Sequence, residues 1–91
     1  MRPVGFDLQR GYTLNPAVAL RPEPFGALAY HFGNRRLSFL KSRQLVTVVR
    51  LLGNHDTAAD ALDAAGVPAG ERARYAAALA ALADSEVIDA R

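Results

Sequence analysis

Two short apolar runs, FGALAYHF and RRLSFL, flank Gly33-Asn34 within Phe25–Leu40, and this pairing constrains the fold more than anything else in the chain. Gly at the first central position of a two-residue loop suits a type II′ turn, whose twist matches that of the strands it joins. Closing the turn there sets a register. Phe32 falls opposite Arg35, Tyr30 opposite Leu37 and Leu28 opposite Phe39 on one face, while Ala27–Leu40, Ala29–Ser38 and His31–Arg36 share the other. One face is large and apolar and the other small or polar, as expected of a hairpin with one side on a core.

The flanking segments complete the fold class. Residues 1–11 carry Pro3, Gly5 and Gly11 with no sustained period and read as a flexible N-terminal arm, leaving 12–91 as one domain. A chain of 91 residues supports a single small core. A first strand is placed near Ala17–Arg21, broken by Pro22-Glu23-Pro24. After Lys41 the period changes to 3.6: Ser42 caps a helix with Leu45, Val46, Val48, Val49 and Leu52 on its stripe, and Gly53 closes it. Asp56 or Thr57 caps a second helix that ends at Gly66. A third runs from about Glu71 to Asp84, with Tyr75, Leu79 and Leu82 on one stripe and Ala73, Ala77 and Ala80 opposite. Val87-Ile88 fits either a last short strand or a tail packed on the core. Three strands followed by three helices make an α+β fold, winged-helix-like, with a three-stranded antiparallel sheet at the N-terminus.

Composition then narrows the chemistry. The chain has no Cys, so disulfides, thiolate metal sites and iron–sulfur clusters are outside its means, and the cytoplasm is the expected compartment. No run approaches the ~18–20 apolar residues of a membrane span. His55-Asp56 are adjacent and face apart, with Asp56 read as a helix cap, and His31 reads as a rim residue beside Arg36. No His stands near Ser38, Ser42 or Ser85 to activate a hydroxyl. No enzyme, cofactor or metal site is expected.

The net charge of +2 conceals two opposed halves. Residues 1–50 hold eight Lys/Arg against two Asp/Glu, and 51–91 hold three against seven. The basic half favours an acidic partner, either nucleic acid or peptide. A small winged-helix DNA-binding protein is therefore one reading. The third helix answers it poorly, because its open face offers Ala73, Ala77, Ala80 and Asp84 where base readers would stand. The other reading starts from Arg36–Leu40. With strands in sequential order this is an edge strand, and an open edge carrying Leu37, Phe39 and Leu40 is a docking rail for an extended peptide.

Residues 19–42, ALRPEPFGALAYHFGNRRLSFLKS, resemble the peptide chaperones of mycofactocin biosynthesis, relatives of the small chaperone of pyrroloquinoline quinone biosynthesis. The likeness includes Tyr12, Leu14, the LRPE-x-FG-x-L-x-Y run at Leu20–Tyr30, RRLSFL at Arg35–Leu40, and Gly66–Tyr75. It implies three strands on three helices without catalytic activity. It also implies binding of the acidic leader of a ribosomally made precursor and its delivery to a radical S-adenosylmethionine maturase. That partner decarboxylates the peptide's C-terminal tyrosine and crosslinks it to the neighbouring valine. Carried over by position, Arg36, Leu37, Ser38, Phe39 and Leu40 would pair with the leader. Arg74, Tyr75, Ala78, Leu79 and Leu82 would wall the groove, and Arg35, Arg36 and Arg74 would meet the leader's charge. No nucleic acid or membrane is implied, and either a monomer or a dimer is compatible.

Overall fold

The computed structural model describes residues 5–91. Its elements run β1 (Tyr12–Leu14), β2 (Val18–Glu23), β3 (Gly26–His31), β4 (Leu37–Leu40), α1 (Arg43–Leu51), α2 (Ala58–Ala64), α3 (Arg72–Asp84) and β5 (Ile88–Ala90). β2, β3 and β4 form an antiparallel three-stranded sheet in sequential order, followed by the three helices, which gives the α+β, winged-helix-like class read from the sequence. A second, two-stranded sheet joins β1 to β5, pairing Tyr12 with Ala90 and Leu14 with Ile88. The tail is thus a strand, and among the described residues the β1–β5 pair stands beside the expected three-stranded sheet. The arm expected over residues 1–11 lies partly outside the described residues. From Phe6 onward the segment packs on the helical side: Phe6 stacks on Tyr12, and the carbonyls of Leu8 and Arg10 accept from Ala59 and Ala58.

Register came out as read, but the turn and the buried face did not. Leu28 pairs with Phe39, Ala29 with Ser38 and Tyr30 with Leu37. The loop, however, is Phe32–Arg35, closed by the Arg35 N–H donating to the His31 carbonyl at 2.8 Å, with Arg35 rather than Gly33 at positive φ (62°). Loops of two and of four residues share one midpoint, so either sets the same pairing.

The core takes the small face: Ala27, Ala29 and Leu40 are at most 1% exposed and pack with Leu45, Val48 and Val49 of α1. Small residues let the helix approach the strands closely, and the large apolar face is left outside. His31 therefore lies inside (6% exposed), not on the rim. Its Nδ1 accepts the backbone N–H groups of Gly33 and Asn34 at 3.0 and 3.2 Å. Gly33 serves this contact, because a Cβ there would stand 2.8 Å from His31 Cε1. Gly33→Ala is expected to cost about 1–2 kcal/mol, read as a melting temperature lower by roughly 5–15 °C. An unchanged melt would mean that the ring shifts freely.

The proline break was also misplaced. β2 runs through Pro22, opposite Ala27, and turns at Pro24-Phe25. Phe32 N–H donates to the Ala17 carbonyl, so the alternation of an antiparallel pair puts Pro22 at a non-hydrogen-bonded position. Its missing N–H faces the open side of an edge strand, where it does no harm. Among the helix caps, Ser42 Oγ accepts from Leu45 N as expected, and Thr57, not Asp56, caps α2 by accepting from Asp60 N. Gly53 does not end α1; a 3₁₀ turn over Leu52–Asn54 continues it. Gly66, at φ 79°, closes α2 in a Schellman motif whose bonds run from Gly66 N to Asp63 O and from Val67 N to Leu62 O.

Candidate functional site

Sheets of this kind have two open edges, and these two are not equal. On β2, the alternation turns the backbone of Val18, Leu20 and Pro22 outward. Val18 N–H already donates to the Asn15 carbonyl and Pro22 has none to give, which leaves Leu20. On β4, His31 N–H donates to the Arg36 carbonyl, so Arg36, Ser38 and Leu40 face β3 while Leu37 and Phe39 present N–H and C=O to the open side. β4 has no proline and is the edge equipped to accept another strand.

That edge borders a groove against α3. Two adjoining cavities, of about 280 and 410 Å³, share Lys41, Leu45 and Ala78. The first adds Ser42, Arg74 and Tyr75, and the second adds Ser38, Phe39, Ala81, Leu82 and Ser85. Small side chains on α3 hold the groove open, because Ala78 and Ala81 leave room where larger residues would fill it. Its floor is fixed by Ser38 Oγ, 3.3 Å from Ser85 Oγ, and by Tyr75, whose hydroxyl donates to Gln44 Oε1 at 3.1 Å.

The residues singled out in the sequence fall into three groups. Ser38, Phe39, Arg74, Tyr75, Ala78 and Leu82 line the groove. Leu40 and Leu79 are wholly buried in the core and support it from behind. Leu37 projects from the outer face of the sheet, and Arg35 and Arg36 stand exposed at the hairpin end. Arg74 is bonded to Glu71 at 2.6 Å and lies over the Tyr75 ring, 5.8 Å from its centroid. Sequence reasoning placed Lys41 in a basic patch with Arg35, Arg36 and Arg43 and missed Ser42, Leu45, Ala81 and Ser85 as groove residues. Ala81 and Ser85 follow Ala78 at helical spacing and were within reach of a periodicity argument. Lys41, Ser42 and Leu45 enter only because β4 runs directly into α1. Among the described residues no group of His, Cys, Asp or Glu is placed to hold a metal ion, and no helix is long and apolar enough to cross a membrane.

Comparison with known proteins adds an independent line. The model of the peptide chaperone MftB family matches residues 11–89. The peptide chaperone MftB of Mycobacterium ulcerans is 53% identical over 83 residues, covering 91% of this chain and 76% of its own. Its namesake in Mycolicibacterium smegmatis is 49% identical over 93% of this chain and 83% of its own. That of Mycobacterium tuberculosis is 48% identical over 91% and 76%. No solved structure matches the chain.

Proposed function

The chain belongs to the peptide chaperone MftB family, and from that premise we propose that it binds the leader of the mycofactocin precursor as a strand added to β4 and presents it to a radical S-adenosylmethionine maturase. The observation that carries this reading is the open β4 edge, with the outward backbone of Leu37 and Phe39 running beside an apolar groove. A strand laid there alternates its side chains. One set enters the groove over Ala78, Leu45 and Leu82, and the backbone bonds fix direction and register. Apolar contacts in the groove supply most of the affinity. Arg35, Arg36 and Arg74 meet acidic leader residues at the rim, each worth about 0.2–1 kcal/mol and felt mainly in on-rate and salt dependence. The protein acts in the cytoplasm without catalysis or cofactor, and the chemistry resides in the maturase.

Titration with the cognate precursor peptide, followed by backbone amide shifts at two salt concentrations, tests the reading. Saturable shifts concentrated in residues 36–41 and along α3 are expected. A folded sample that shows none would overturn it. Steep, salt-sensitive binding of duplex DNA in the same assay would instead favour a nucleic-acid partner.

A further inference from the structure

Charge in the groove beside β4 is confined to one end. Of the polar groups lining the first cavity, Arg74 is bonded to Glu71, the Tyr75 hydroxyl donates to Gln44, and Ser42 Oγ is taken up as the cap of α1. Lys41 is exposed and forms no ion pair among the described residues. It lines both cavities and so stands where they adjoin. Beyond it the second cavity is walled by Phe39, Ala78, Ala81 and Leu82, and no other ionisable side chain lines it.

The register at β4 divides an added strand in the same way. Leu37 and Phe39 present their backbone to the open side. Residues laid opposite Ser38 and Leu40 therefore turn to the inner face, as those two side chains do. The one opposite Ser38 meets the apolar cavity. The one opposite Leu40 lies two positions away, about 6.7 Å along the strand, at the Lys41 end.

We propose that Lys41 is a specificity-determining residue of the peptide site, and that the segment it selects carries a carboxylate two residues from a large apolar side chain. The inference rests on the strand-addition reading above and states what that strand must carry. An Asp or Glu opposite Leu40 gives Lys41 the partner that this chain does not supply. An apolar or cationic residue there would cover an unanswered ammonium group, so one side chain selects for the acid and against the alternatives. At the second cavity the preference reverses. A carboxylate held against Ala81 and Leu82, away from Lys41, would lose water without gaining a cation. Arg74 contributes less to this choice, because it shares its charge with Glu71 and the Tyr75 ring.

The test is calorimetric titration of the intact protein with the precursor peptide, using Lys41→Gln, Lys41→Glu and Arg43→Gln. Arg43 is exposed and lines neither cavity, so it controls for the loss of one positive charge. Lys41→Gln is expected to weaken binding about fivefold to tenfold, and Arg43→Gln about twofold or less. The Asp and Glu residues of the leader are then changed singly to their amides. One such peptide should bind the parent more weakly yet lose little further with Lys41→Gln, and a large apolar residue should stand two positions from the change. Placing Lys at that same leader position should restore binding to Lys41→Glu. Equal losses for Lys41→Gln and Arg43→Gln, or no single carboxylate coupled to Lys41, would overturn the assignment. A coupled carboxylate without an apolar residue two positions away would overturn the spacing. In either case amide shifts along residues 36–41 of the parent would leave strand addition intact. A folded parent that binds no peptide overturns the strand-addition reading and this inference with it.

Discussion

Gly26→Ala is expected to lose about 3–5 kcal/mol, enough to lower the melting temperature by roughly 15 °C or more or to prevent folding. Gly26 opens β3 at φ 153°, a conformation that side-chain-bearing residues avoid. A Cβ there would also fall on the Leu40 carbonyl oxygen, far inside van der Waals contact, and 3.0 Å from both the backbone N and O of Ser42. All of these opposing atoms are backbone, so no rotamer change relieves the clash. The end of β4 and the N-cap of α1 would have to move together. Circular dichroism melts of the two proteins decide the matter, and a loss of only a few degrees would show that this junction is looser than its packing.

The same junction explains what was legible in the sequence and what was not. The hairpin register could be read because apolar runs and a midpoint suffice to set it, whichever loop closes the turn. The buried face could not. Alternation separates Leu28 and Tyr30 from Ala27 and Ala29, but it does not say which set the helices cover. Ordinary weighting of hydrophobicity favours the larger set. The close approach of Leu40 and Ser42 to Gly26, and the packing of α1 on Ala27 and Ala29, reverse that choice, and they depend on how the chain turns at Leu40–Ser42, a tertiary constraint. The pairing of β1 with β5 was hidden for a related reason. Three-residue strands carry little period of their own, and these two are joined only once the intervening domain has formed. Tyr75, Leu79 and Leu82, by contrast, declared themselves through a helical period that needed no tertiary context.

The strand addition proposed for the β4 edge is tested more sharply by removing a backbone donor than by removing a side chain. Phe39→Thr removes the ring but keeps the outward N–H, whereas Phe39→Pro removes both. The Phe39 N–H faces the open side, so a proline there deletes no bond to β3, and Pro22 already occupies the equivalent kind of position on β2. Both variants are therefore expected to fold. Against an added strand they differ. The proline leaves a leader carbonyl without its donor and sets a ring where the strand must approach, at a cost of about 1–3 kcal/mol or more. Leader affinity should accordingly fall roughly 10–100-fold further for Phe39→Pro than for Phe39→Thr. Calorimetric titration of both with the precursor peptide measures the difference. Equal affinities, with both proteins folded, would mean that the leader is held by side chains in the groove and not by main-chain pairing, and β4 would then be a wall of the site and not its rail.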